Sequence, residues 1–332
     1  MNSVLVALST QQHGVFSAGQ AVHAGYCTEE IQVLRRQGRW RRIRRGVYAD
    51  AQMYDAIADQ RRELHLLECA AVQLVLQRPF VLSHSSAAHF YRLPFLGQPP
   101  TEVCGTDSGQ ARYGKGYRIS ACTLAEAHVD ALDGWRLTSG ARTVVDLARA
   151  ASFKAGVVLA DGALRLGLAT PQHLRDVVLY CSHLEGIGRA GRVCGFADGR
   201  AESVLESVSR VELVARGVPV PQLQVVIGDD DGIIGRVDML WEDLAVAGEA
   251  DGKIKYTQPW DDRRREEVLW EEKCRMERLQ AAGLEVVRWT NAELQRSPGR
   301  IVERFWAAAA RRPTSTPRFR VLPDLCRTYR VA

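Results

Sequence analysis

Four acids and a lysine in the last third of the chain have the types and spacing for hydrolytic chemistry: Glu206, Asp238, Glu249, Asp251 and Lys253. Asp238 lies inside an apolar run, Ile233-Ile-Gly-Arg-Val-Asp-Met-Leu-Trp241, which reads as a strand. An unpaired carboxylate there costs energy unless something compensates it, and the sequence shows no structural need for it. Glu249, Asp251 and Lys253 close a second run, Leu244-Ala-Val-Ala-Gly-Glu-Ala-Asp-Gly-Lys253. Strand residues two apart share a face, so Glu249 and Asp251 point one way, with Lys253 if the strand continues past Gly252. If the two strands pair across the Glu242-Asp243 turn, Asp238 reaches the same patch. Glu206 can arrive from a preceding helix. Carboxylates gathered in this way call for a counter-ion, and Mg2+ or Mn2+ would supply it through Asp238, Glu249 and Asp251. Magnesium takes one or two carboxylates and completes its shell with water and phosphate oxygens. It polarises a phosphodiester and lowers the pKa of a bound water, and a nearby lysine stabilises charge building on the phosphate. All eight histidines stand at or before His183, so this region has no histidine base of its own. The competing reading of the acids is a solvated strand end.

The elements that must position these residues follow from periodicity. Residues 201–216 form an amphipathic helix with Val204, Leu205, Val208, Val211 and Leu213-Val214 on its apolar face. Pro219-Val-Pro leads into a strand, Leu223-Gln-Val-Val-Ile227, and Gly228-Asp-Asp-Asp-Gly232 is a hairpin turn. The two acid-bearing strands come next. A charged helix is expected over 261–282, then a strand, Leu284-Glu-Val-Val-Arg-Trp289. The order is α-β-β-β-α-β.

A second chemistry sits at the other end. Arg35, Arg36, Arg39, Arg41, Arg42, Arg44 and Arg45 fall within eleven residues. They lie on the end of the third of three short helices and on the wing after it; the helices are residues 4–8, one capped by Ser17 and ended by Gly25, and one capped by Thr28 and stopped by Gly38. Trp40-Arg-Arg-Ile-Arg-Arg-Gly-Val-Tyr48 then reads as a hairpin with Trp40, Ile43 and Val47 facing a core. This order is that of a winged helix-turn-helix, which lays its third helix in the major groove and sets basic residues on phosphates. The plainer alternative is a small helical module with a solvated basic face.

Residues 51–198 form a mixed α/β middle region. Helices are expected at 57–76, 143–150 and 155–166, and short strands at 101–104 and 117–120. Phe80 to His89 reads as a turn leading into a helix. Ser83, His84, Ser85 and His89, with Asp146 as a distant acid, invite a catalytic reading. Sequence proximity alone makes no triad, because a triad is defined by geometry. Capping by Ser85 or Ser86 with ordinary histidines is the preferred reading.

The chain has 332 residues, 46% apolar and 25% charged, the balance of a soluble globular protein. Length suggests two or three domains. No apolar run reaches membrane-span length and no signal peptide is read, so a cytoplasmic protein without membrane partners is expected. The eight cysteines lack the close pairs a zinc site needs and are expected to be free thiols. Net charge is +5, with residues 1–50 at +4 and residues 301–332 at +5. Two basic ends on a slightly acidic body point to a polyanion partner.

Two stretches resemble known families. Arg236-Val-Asp-Met-Leu-Trp, Gly248-Glu-Ala-Asp-Gly-Lys-Ile-Lys-Tyr256 and Leu284-Glu-Val-Val-Arg-Trp-Thr290 are similar to the Vsr-like group of the PD-(D/E)XK nuclease superfamily. Ala201-Glu-Ser-Val-Leu-Glu-Ser, Gly217-Val-Pro-Val-Pro-Gln and residues 262–265 fit the same pattern. That superfamily places its lysine two residues after the acid. With Glu249 as the acid, Asp251 occupies the lysine position and Lys253 or Lys255 must substitute; with Asp251 as the acid, Asp251-Gly-Lys253 fits. The histidine often found downstream is replaced by Lys255-Tyr256. Residues 8–50, with Gly14-Val-Phe-Ser, Gln20-Ala, Gly25 and Arg45-Gly-Val-Tyr48, resemble the DNA-binding domain of AbiEi-type antitoxins, and Leu137 to Asp146 resembles their middle region. The resemblances imply an α/β (α+β) protein in four parts. These are a winged helix-turn-helix (1–50), an AbiEi-like middle region (51–198), a PD-(D/E)XK restriction-endonuclease-like core (199–310) and a basic tail (311–332). They imply a Mg2+-dependent DNA endonuclease acting on double-stranded DNA in phage defence, toxin–antitoxin or repair. The alternative they imply is an AbiEi-like antitoxin and autorepressor, with a cognate toxin as partner and a catalytically silent nuclease fold.

Overall fold

Polar caps punctuate the first fifty residues and set the chain's first module. A computed structural model describes residues 1–251, 265–311 and 318–323, and the chain divides into two units, Met1–Ala197 and Asp198–Ala332. Helix α1 (Ser3–Gln11) is capped by Asn2, whose Oδ1 accepts from the Leu5 N–H at 3.0 Å. Strand β1 (Val15–Ser17) follows, then α2 (Ala18–His23), closed by a reciprocal box between Ser17 and Gln20. Helix α3 (Thr28–Arg36) corrects one expectation. Thr28 is its first residue, and the cap is Cys27, whose Sγ accepts from the Glu30 N–H at 3.4 Å while the Glu30 carboxylate accepts from the Cys27 N–H. Strands β2 (Trp40–Arg44) and β3 (Val47–Asp50) form the hairpin, and β1 pairs with β3 to give the order β1-β3-β2. Leu5, Phe16, Ala21, Ile31, Trp40 and Tyr48 are the core. The order α1-β1-α2-α3-β2-β3 is compatible with a winged helix. The short β1 escaped the sequence reading because three residues are too few to show a period.

The rest of the first unit is built on a six-stranded mixed sheet. Helices α4 (Ala51–Ala56) and α5 (Arg61–Leu76) replace the single helix expected over 57–76. Residues 57–60 form the turn between them, without a glycine or proline to announce it. Strand β4 (Val81–Leu82) and α6 (His84–Phe90) come next, then β5 (Val103–Asp107), β6 (Arg112–Gly114), β7 (Tyr117–Ala121), β8 (Val129–Leu132) and β9 (Trp135–Thr138). The sheet order is β6-β7-β5-β4-β9-β8. Helices α7 (Gly140–Ala148), α8 (Phe153–Arg165), α9 (Pro171–Tyr180) and α10 (Ile187–Phe196) complete the unit. Helix α7 is buried along almost its whole length and carries an internal ion pair, Arg142 Nε to Asp146 Oδ2 at 2.8 Å.

The second unit opens with α11 (Val204–Ala215), capped by Ser203. Strands β10 (Gln222–Asp229), β11 (Gly232–Trp241) and β12 (Val246–Asp251) follow, then α12 (Arg265–Ala281) and β13 (Glu285–Thr290). The helix, strand, strand, strand, helix, strand order matches the expected sequence of elements. Helices α13 (Asn291–Arg296) and α14 (Pro298–Ala310) and strand β14 (Arg320–Leu322) extend it. Part of the segment expected to be a basic tail is therefore an edge strand, giving the order β13-β12-β11-β10-β14. Strand β12 starts two residues later than expected, because a 3-10 turn over Glu242–Leu244 and a left-handed Ala245 precede it. Its pairing with β13 is parallel, which requires a crossover between them. The sheet buries both faces. Leu223, Met239, Trp241, Ala250, Val287, Trp289 and Phe305 share one core, and Val225, Ile227, Val237, Leu240, Ala247 and Leu279 share the other.

Gly248 is the tightest point of this sheet. A Cβ there would lie 2.7 Å from the Trp289 ring and 2.9 Å from the Trp241 ring. Gly248→Ala should destabilise the second unit by about 1–3 kcal/mol through overpacking. Urea unfolding followed by tryptophan fluorescence measures this, and an unchanged midpoint would mean that the indoles move aside freely.

Candidate functional site

The predicted acids divide into two groups. In β10 the register runs Leu223↔Met239 and Val225↔Val237, and Gln224 between them is left-handed, with φ +54°. This turns its buried amide toward α11. Gln224 Nε2 donates to Glu206 Oε2 at 2.8 Å and to Asp238 Oδ1 at 3.3 Å. One amide group thus lies between two carboxylates. Glu206 also accepts from the Glu202 N–H at 2.9 Å and the Ser203 hydroxyl at 2.7 Å. Burial, and after it the neighbouring Asp238 charge, raises the Glu206 carboxyl above its ordinary value against these hydrogen bonds. Asp238 does have a structural task, contrary to the sequence reading. The β11–β12 register ends at Met239↔Gly248, and Asp238 Oδ2 accepts the Ala250 N–H at 2.9 Å beyond that end.

Glu249 goes elsewhere. Ala250 packs in the core that holds Trp289 and Phe305, so strand alternation sends its neighbour Glu249 to the α12 side, where Ala247 packs on Leu279. There it is buried against two arginines, with Oε1 2.6 Å from Arg275 and Oε2 2.5 Å from Arg288. Glu272 joins the same arginines. Burial would raise the Glu272 carboxyl, but hydrogen bonds from Arg275 and Arg288 hold it down at about 2. Asp251, in register with Thr290 two positions beyond the Glu249–Arg288 pair, also acts on the Arg288 charge. Lys253, Lys255 and residues 262–264 lie outside the described residues. The expected ligand set of Asp238, Glu249 and Asp251 is therefore not assembled. Among the described residues no group of three His, Cys, Asp or Glu side chains is placed to hold a metal ion. As arranged, the donors do not fit a magnesium ion: a proton-donating amide lies between Glu206 and Asp238, and Glu249 is neutralised by arginines. The missing signal was the register of two parallel strands, which puts Arg288 beside Glu249.

The arginine cluster is largely as expected, with one exception. Arg35, Arg36, Arg39, Arg41, Arg42 and Arg45 are exposed. Arg41 forms a forked pair with Asp55, at 3.0 and 3.2 Å through one nitrogen. Arg44 turns inward. It pairs with Glu68 of α5 at 3.0 Å, donates to the Lys115 and Gly116 carbonyls at 2.8 and 3.2 Å, and lies over the Tyr117 ring. It is committed to packing and is not available to phosphate. Trp40 and Val47 are buried as expected, while the register shifts between Arg42 and Arg44 and leaves Ile43 and Arg44 both half-buried.

The serine–histidine group bonds within itself, to backbone groups and to Cys104. Ser83 stands at the α6 N-cap without a capping bond from its side chain and meets His84 Nδ1 at 2.9 Å. Ser86 bonds His65 Nε2 and the Cys104 N–H, and Ser85 bonds Cys104, so neither caps the helix as expected. His89 bonds the Pro100 carbonyl at 2.8 Å. Asp146 is engaged by Arg142, and Arg149 lies 3.5 Å away. The described cysteines are free, and no described helix is long and apolar enough to cross a membrane.

Residues 3–49 match the family described as "Transcriptional regulator, AbiEi antitoxin". Two uncharacterized proteins of Mycobacterium tuberculosis, from two strains, are each 30% identical over 179 residues. The match covers 54% of this chain and 64% of each relative, so the chain spans less than two thirds of their length.

Two outcomes follow from this geometry. The Glu206 carboxyl should titrate above 4.5 in carbon NMR, and Asp238→Asn should lower its midpoint by removing a neighbouring negative charge. Because the folded value is the raised one, the Glu206 contribution to stability is present below 4.5 and is lost as pH rises through the folded value. A midpoint at or below 4.5 would separate the two acids. Arg44→Ala should cost the first unit about 1–3 kcal/mol, whereas Arg45→Ala should change it by less than about 0.5 kcal/mol. Equal thermal shifts for the two variants would contradict the inward placement of Arg44.

Proposed function

We propose that this protein is a DNA-binding transcriptional regulator of the AbiEi antitoxin type. In this reading residues 1–50 engage double-stranded DNA, and a cognate toxin is the protein partner. The carrying observation is the α1-β1-α2-α3-β2-β3 module, with exposed arginines running from the end of α3 into the hairpin. The family match over residues 3–49 supports the same reading. Helix α3 would enter the major groove, with Arg35, Arg36 and Arg39 at its C-terminal end and Arg42 and Arg45 on the wing against phosphates. Arg41 can join them only by leaving Asp55.

A second reading, hydrolysis of DNA by the second unit as a Vsr-like PD-(D/E)XK enzyme, rests on the order of its elements and on the Glu206–Asp238 pair. The commitment of Glu249 to Arg275 and Arg288 favours the regulator over this enzyme.

The full chain should bind duplex DNA with log affinity falling linearly in log salt, by about 0.9 per phosphate neutralised. The triple variant Arg39→Ala, Arg42→Ala, Arg45→Ala should flatten that slope by about 2–3. Binding and slope equal to wild type would remove the module from DNA. In the same preparations, plasmid with Mg2+ or Mn2+ should remain intact. Nicking by the wild type that disappears in Asp238→Asn would replace the regulator by the enzyme.

A further inference from the structure

The inward turn of Arg44 fixes a second element beside the wing. Its guanidinium holds the carbonyls of Lys115 and Gly116, the two residues that join β6 to β7, at 2.8 and 3.2 Å. Gly116 is left-handed, with φ +74°, and a Cβ there would stand 3.1 Å from the Arg44 guanidinium. This close approach therefore needs glycine. Tyr117, the first residue of β7, lies under the same guanidinium, 5.6 Å from ring centroid to cation. The base of the β6–β7 hairpin is fixed independently by Arg112, 2.7 Å from Asp107. The hairpin tip is thus held one arginine side chain away from Arg45 and the rest of the wing.

The tip carries the chemistry of a polyanion contact. Lys115 is exposed, and Tyr113 on the adjoining strand is 69% exposed, an aromatic ring in water without a core to fill. Nearby acids are each engaged: Glu68 by Arg44, Asp107 by Arg112, and Glu102 by Arg118 at 3.7 Å. The hairpin therefore adds positive charge to the wing without an opposing free carboxylate among these residues. A positive side chain on an element tied to the wing through Arg44 complements the phosphates flanking a groove.

We propose that the β6–β7 hairpin is a second DNA-contacting element, which places Lys115 on the phosphate backbone of duplex DNA beside the wing, with Arg44 as the positioning residue that holds it there. This rests on the wing reading above and extends it to a part of the chain outside residues 3–49. It lengthens the footprint by a contact that adds affinity without base readout.

The test is fluorescence anisotropy of the full chain with a labelled duplex of arbitrary sequence across a salt series. Lys115→Ala should reduce the salt slope by about 0.9 and weaken binding about threefold at fixed salt. Lys115→Glu should weaken it further, and Lys115→Arg should restore the wild-type slope. Thermal melting should be unchanged in all three, because the side chain is exposed. If Lys115→Ala and Lys115→Glu bind as wild type does while the triple wing variant loses affinity, the hairpin is off the DNA and the inference is overturned with the wing reading intact. If the triple wing variant also binds as wild type does, or no duplex binding is found, the wing reading fails and this inference fails with it.

Discussion

A buried carboxylate needs a partner, because an uncompensated charge in a low-dielectric interior costs several kcal/mol. The second unit satisfies this requirement in two different ways within a few residues. Glu206, beside the half-buried Asp238, is held by neutral donors: the Gln224 amide, the Ser203 hydroxyl and the Glu202 backbone N–H. Glu249, buried on the other side of the same strands, is held by two full positive charges. The first solution leaves a carboxyl that gains protons readily. The second locks α12 to β12 and β13 through charge. Where strands β11 and β12 part company, the Asp238 carboxylate takes over the role of a backbone carbonyl for the Ala250 N–H. The divergence that frees these side chains is thereby stabilised by one of them.

The same rule shapes the first unit. The seven arginines that crowd residues 35–45 would repel if they all faced water together. Two of them are drawn off, Arg41 to Asp55 at the surface and Arg44 to the half-exposed Glu68. What remains exposed and unengaged by a carboxylate in these pairings, Arg35, Arg36, Arg39, Arg42 and Arg45, forms the surface offered to a polyanion. Arg44 joins module and sheet: it ties the hairpin that carries these arginines to α5 and to the β6–β7 turn. The stacking of His13 on Trp135, with rings 4.0 Å apart, is a second tie between the same parts.

Composition and periodicity by themselves determined the broad plan. The two basic ends, the Ser17 cap and the helix-ending glycines of residues 1–50, and the α-β-β-β-α-β order of the last third were legible because each depends on local chemistry: a cap is a matter of three or four residues, and a strand's alternation of two. The identity of the acids at strand ends was legible for the same reason. Tertiary structure alone decided which acids meet. Glu249 and Asp238 separate because β11 parts from β12 beyond Met239↔Gly248, so the cross-strand pairing that would have set them side by side does not form. Arg288 reaches Glu249 through a parallel register set by a crossover, and Arg44 reaches Lys115 and Gly116 across seventy residues of chain. Such partners have no sequence periodicity, since the geometry that joins them arises only when distant elements pack.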